Sequence, residues 1–129
     1  MGKEIINPSG MRVPRLNSHG VKKSGAPVFI CGQVGKDADG NLAGDGSAEA
    51  QVEQIFSNLG LIMESAGGGL NDLVKLTVFV TDPAVFPVVT AARERYFEPG
   101  GYPATTYLVV SALASPGLDV EIEAVAVVD

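Results

Sequence analysis

Two apolar rhythms, set end to end, do most to limit what this chain can fold into. From Val52 to Ala66 the apolar residues Val52, Ile55, Phe56, Leu59, Ile62, Met63 and Ala66 recur every three to four positions, the stripe of an amphipathic helix. From Leu73 to Thr81 the rhythm changes to alternation: Leu76, Val78 and Val80 face one way, and Lys75, Thr77, Phe79 and Thr81 face the other. That is a strand with two different faces. Gly67-Gly68-Gly69 lies at the junction and ends the helix, because glycine enters the positive-φ region past a C-terminus without steric cost. A helix that must bury one stripe, next to a strand that must bury one face, predicts helices packed on a sheet.

The punctuation elsewhere extends this pattern. Ser47 is suited to cap the first helix, with Glu49 meeting the positive end of its dipole. Gly60 weakens that helix by roughly 1 kcal/mol relative to alanine, which suggests a close approach to the sheet. Asp82-Pro83 reads as cap and first residue of a second helix running to about Phe97, with Phe86, Val89, Arg93 and Tyr96/Phe97 along one stripe. Pro99-Gly100-Gly101 stops it. Residues 105–111 and 120–128 read as the last two strands, separated by the turn Ser115-Pro116-Gly117. Upstream, Gly20-Val21 and the run Val28-Phe29-Ile30-Cys31 read as short strands joined by a turn around Ser24-Gly25, and Asp37 to Asn41 is a turn cluster. The arm before Ser18 carries Pro8 and Pro14 and reads as irregular or edge-like. The expected architecture is α+β: one domain over residues 1–129, with a single mixed sheet and two helices packed on one of its faces. Phe79, and aliphatic side chains on both parities of the last strand, leave the other face apolar, which favours packing against further subunits.

Bulk properties narrow the function. The net charge of −6 and a scatter of nine basic residues, none in a run longer than Lys22-Lys23, argue against a nucleic-acid partner. No segment approaches the roughly 18 to 20 unbroken apolar residues of a membrane helix. Residues 1–7 lack the apolar stretch of a secretory signal, and the single cysteine, Cys31, has no internal disulfide partner. A cytoplasmic location is the expectation. The lone histidine, His19, has no second histidine with which to share acid and base roles, and no cysteine cluster to join in holding a metal. It reads as a strand-edge or turn residue.

Four stretches carry a resemblance: Cys31-Gly32-Gln33, residues 74–82, Tyr102-Pro103-Ala104-Thr105-Thr106-Tyr107, and residues 120–126. Together they resemble the Rid (YjgF/L-PSP-like) family, over about residues 17–127. The resemblance implies a chorismate-mutase-like fold, a homotrimer, and small-molecule clefts between neighbouring subunits. It also implies hydrolysis of 2-aminoacrylate and related enamines or imines to 2-keto acids and ammonia, with no metal or organic cofactor. Glu121 matches the family glutamate that orients or activates the attacking water, and Gly32 the glycine whose backbone contacts the ligand. Cys31 stands where many members have serine, Tyr107 where several have cysteine, Thr90 where an asparagine often sits, and Asn17 near the pocket tyrosine. Thr105 stands where the imine deaminases carry the arginine that holds the substrate carboxylate.

That last difference weighs most. An arginine fork binds a carboxylate through two parallel charge-assisted hydrogen bonds, each worth roughly 1.5 to 3 kcal/mol. Threonine brings one neutral donor, from Thr105 or its neighbour Thr106. Either Arg15 or Arg93 enters the cleft instead, or the substrate carries no carboxylate. A ligand-binding or protein-interaction module without catalysis is the alternative to a hydrolase. Glu121 itself has a plainer reading, since Asp119, Glu121 and Glu123 share one strand parity and are expected to be solvated together. Cys31 follows Val-Phe-Ile and reads as a small core or pocket-lining residue rather than a nucleophile.

Overall fold

The computed structural model describes residues 2–129. The chain runs β1 (Glu4–Ile6), β2 (Gly20–Lys22), β3 (Ala26–Val34), α1 (Ala48–Ser65), β4 (Leu73–Val80), α2 (Phe86–Tyr96), β5 (Ala104–Val109) and β6 (Val120–Val128). Strands β3, β6, β4 and β5 form one sheet in that spatial order. β6 pairs antiparallel with both β3 and β4, and β4 pairs parallel with β5, so the sheet is mixed. The long final strand lies inside the sheet, while β3 and β5 are its two edges.

The apolar rhythms land where expected. Val52, Ile55, Phe56, Leu59 and Met63 of α1 are buried against Leu76, Val78 and Val80 of β4 and Val120, Ile122, Ala124 and Ala126 of β6. Val89 and Ala92 of α2 join the same core. Ser47 caps α1, its hydroxyl accepting from the Ala50 amide at 3.1 Å, and Gly67 ends it at φ +85°. Asp82 caps a single 3₁₀ turn, Pro83–Val85, that leads into α2.

Three expectations need correction. The sheet is not single: β1 and β2 form a separate antiparallel ribbon, with Glu4 opposite Lys22. The N-terminal arm is therefore not wholly irregular. β2 does not pair with β3 either, although a tight turn joins them. The Lys23 side chain, 2% exposed, pulls the connection over the end of β6, donating to the Val127 carbonyl at 2.7 Å and pairing with Asp72 at 3.5 Å. Gly25 there lies against the same strand end, where a Cβ would meet the Val128 carbonyl oxygen at 2.2 Å. Lys3 fixes the ribbon, donating to the Gly101 carbonyl at 2.6 Å, and burial holds its ammonium below the ordinary lysine pKa. Third, Gly60 makes no close approach to the sheet, since a Cβ there would meet nothing within 4 Å.

Candidate functional site

Helices cover only one face of the four-stranded sheet. The other face presents Phe29, Lys75, Thr77, Glu123 and Val125, which with Cys31 border an open cavity of about 480 Å³. Phe29 is 79% exposed there, an apolar surface that a chain on its own leaves in water. Lys75 crosses this face to donate to the Thr106 hydroxyl at 2.6 Å. The sequence marks Lys75 and Thr77 only as outward-facing positions of a strand and does not single them out as site residues.

Glu121 shares the parity of Glu123 and Val125 and so faces the same side. Its setting is built by an irregularity in β3. Between Ile30 and Gln33 three steps of β3 match two steps of β6, so the chain bulges at Cys31-Gly32. The Glu121 side chain fills the space above Gly32. A Cβ at residue 32 would lie 1.8 Å from Glu121 Oε2 and 2.7 Å from its carboxyl carbon. No side chain is tolerated there while the carboxylate keeps its place. Among the described residues the Glu121 carboxylate takes no hydrogen bond and no ion pair. It is half-buried and free to hold a water or a ligand proton. The solvated acidic row expected from the sequence is broken at Asp119, which turns into the fold: its amide donates to Gln51 Oε1 at 2.9 Å and its carboxylate accepts from Gln51 Nε2 at 3.0 Å.

The remaining candidates gather elsewhere. Thr105 is in register with Leu76, and Tyr107 with Val78, so both lie on the helix-covered side of β5. The Thr105 hydroxyl donates to the Pro103 carbonyl at 3.0 Å. Asn17 clasps the Thr105 backbone twice, accepting from its amide at 2.9 Å and donating to its carbonyl at 3.0 Å. Asn17 thus acts here as a brace for β5. Tyr107 packs edge-on against Phe86 and accepts a hydrogen bond from Arg93. Thr90 is half-buried on α2, one turn before Arg93.

One chain therefore brings together Glu121, Gly32 and Cys31 on one side, and Asn17, Thr105 and Tyr107 on the other. β6 and β5 are separated by β4, about 10 Å in all, and the two groups point to opposite faces. Thr106 belongs with the first group by its direction and with the second by its strand. Of the two arginines named as replacements for the missing anchor, Arg15 lies exposed in the loop before β2, lining a depression with Arg12 and His19 that Asn17, the residue clasping Thr105, also borders. Arg93 lies against β5 itself. His19 is an exposed loop residue whose Nε2 is 2.7 Å from the Arg12 carbonyl. Among the described residues no three His, Cys, Asp or Glu side chains cluster as metal ligands, and no helix is long and apolar enough to cross a membrane.

The family described as Endoribonuclease L-PSP matches residues 15–128. A RutC family protein of Synechocystis sp. is 37% identical over 101 residues, covering 78% of this chain and 77% of that one. A 2-iminobutanoate/2-iminopropanoate deaminase of Bos taurus is 39% identical over 101 residues, covering 78% and 72%. A crystal structure from Yersinia pestis, described as a protein of unknown function of the conserved Rid family, superposes with a TM-score of 0.90 at 34% identity, over 99% of this chain and 100% of that one.

Proposed function

The chain belongs to the Rid (YjgF/L-PSP) family, and from that membership we propose that it is a cofactor-independent hydrolase of imines or enamines, working in clefts between copies of itself. The observation that carries this reading is the Glu121 carboxylate, unpartnered among the described residues and seated over a glycine whose place no side chain can take while the carboxylate stays. Such a group suits a general base. It takes a proton from water as the oxygen adds to the carbon of the protonated imine, giving a neutral carbinolamine. The carboxylate passes that proton to nitrogen and then takes the hydroxyl proton as the C–N bond breaks, so that ammonia leaves a carbonyl product and carries off the last proton as ammonium. Relatives named as 2-iminobutanoate/2-iminopropanoate deaminases carry out a reaction of this type by their description.

The split between the two residue groups supports a cleft shared by two copies. β5 is a free sheet edge with exposed Leu108 and Val109, and the open face exposes Phe29, so both surfaces favour association. A second copy would set its Thr105 edge beside the first copy's Glu121, and a ring of three such contacts would give a homotrimer. Binding without turnover is the alternative reading. It is favoured by Thr105, whose hydroxyl is already committed to the Pro103 carbonyl. Ribonuclease activity is disfavoured by a net charge of −6 and scattered basic residues, because phosphate-backbone binding needs clustered cations.

The test supplies imines from an amino-acid oxidase and times the release of keto acid and ammonia. The protein is expected to accelerate hydrolysis above the buffer rate for at least one side-chain type. A rate equal to buffer for alanine-, leucine- and aromatic-derived imines and for a decarboxylated imine alike would overturn the hydrolase reading and leave the binding module.

A further inference from the structure

Arg93 is the largest fully buried side chain in the chain, 1% exposed, and it has no carboxylate partner among the described residues. Its neighbour in the same last turn of α2, Arg95, is more than half exposed at its side chain and does pair, with Glu53. Stability alone favours the opposite arrangement. A buried charge without a counter-ion is costly, whereas a surface arginine needs none. The partners Arg93 does have are weak. Nη1 donates to the Tyr107 hydroxyl, and the guanidinium carbon lies 5.5 Å from the Tyr107 ring centroid and 5.7 Å from that of Tyr102. The C-terminal end of a helix dipole adds a little more. Among the described residues Nε and Nη2 have no hydrogen-bond partner.

These two atoms form the side-on fork of a guanidinium, the edge whose parallel N–H groups match the two oxygens of a carboxylate. The edge is unpaired, buried and charged. It also lies where the site needs it. Tyr107, which Arg93 touches, is two residues from Thr105 on the same face of β5. The cation expected on the strand at position 105 is instead present on the helix packed against that strand. Tyr107 is half-exposed at the free sheet edge, and its phenol covers the guanidinium from that side.

We infer that Arg93 is the carboxylate-binding residue of this protein, its Nε and Nη2 fork taking the acid group of a small 2-imino or 2-oxo acid that enters past Tyr107. This rests on the proposed function for the choice of ligand and adds the residue that holds its acid group. Arg93 then sets specificity, and Glu121, from a neighbouring copy, remains the group that handles protons.

The test titrates the full-length protein with pyruvate, the product a three-carbon imino acid would give, and with its neutral methyl ester. Wild type should bind pyruvate, and Arg93→Met should weaken it about tenfold to a hundredfold, the loss of one or two charge-assisted bonds. Arg93→Lys, which keeps the charge and loses the fork, should fall between. The ester should bind all three proteins alike. A structural arginine would lower the melting temperature on removal, but Arg93→Met is expected to leave it unchanged or raise it, since an unpaired buried charge is gone. Wild type alone provides a second reading: the Arg93 Nε–H resonance should shift with pyruvate and not with the ester. Pyruvate binding that ignores Arg93→Met, an unmoved Arg93 resonance in pyruvate-saturated protein, or no pyruvate binding by wild type would each overturn the inference. Turnover with no role for Arg93 in binding defeats this inference and spares the hydrolase reading. Arg93-dependent pyruvate binding without turnover does the reverse.

Discussion

Glu121→Gln is expected to lower imine hydrolysis by about 10²- to 10⁴-fold, the usual worth of a positioned general base. Glutamine keeps the shape and can still touch a water, but it cannot accept the water's proton. Stability should barely change, because the carboxylate is half-exposed and gives up no hydrogen bond when it is replaced. Gly32→Ala should reach a similar end by a different route. The added methyl would sit 1.8 Å from Glu121 Oε2 and 2.9 Å from its Cγ, so the carboxylate must swing away while the strand stays. A displacement of about 1 Å in a catalytic group costs on the order of 10²-fold. Initial rates of keto-acid release, beside urea unfolding of each variant, check both. A Glu121→Gln rate within twofold of wild type would remove Glu121 from the mechanism.

Gly35→Ala is expected to cost about 3 kcal/mol or more of stability, beyond the usual range for one extra methyl in a core. Gly35 is buried under α1, and a Cβ there would lie 2.5 Å from the Gln51 Cα, an atom of the helix backbone. A side-chain end can swing aside, as at Gly32, but a helix backbone can move only with the whole helix. Gln51 is the worst place for α1 to shift. Its amide, fully buried, holds the Gly46 and Gly117 carbonyls and both the amide and carboxylate of Asp119. Moving it would strand several buried polar groups, at roughly 1 to 3 kcal/mol each. Urea denaturation should show the lowered midpoint. A loss under about 1 kcal/mol would mean that α1 rides further from β3 than described.

How far the sequence can be read follows from the range of each interaction. The stripe of Val52 to Met63, the cap at Ser47 and the alternation of Leu76, Val78 and Val80 depend on neighbours within a few residues, and they stand as expected. β1 escaped because Glu4-Ile5-Ile6 is too short to show a period and is followed by Asn7-Pro8. The ribbon it forms with β2 is held to the rest of the fold by Lys3 reaching Gly101, a contact across 98 positions. Gln51 was hidden among the other polar residues of an amphipathic helix, although it precedes Ile55 and Leu59 by one and two helical repeats on their buried side. For the candidate site, the parity of Glu121 was legible, and so was the gap at Thr105. That these lie on opposite faces, two strands apart, was not, because strand order is fixed by long-range pairing and no local pattern encodes it. Arg93 could be named from its place in the α2 stripe, but its unpaired fork emerges only from the packing of α2 on β5.

The central claim is that one working cleft draws Glu121 from one copy and the β5 edge from another. Co-expression of two inactive variants tests it. Glu121→Gln lacks the base, and Thr105→Asp sets a negative charge where an acid substrate must dock. If each cleft takes one part from each of two copies, random co-assembly restores intact clefts, and imine turnover returns to roughly a quarter of the wild-type value. Mixed assemblies with no activity above either variant alone would place both parts in the same chain and contradict the account.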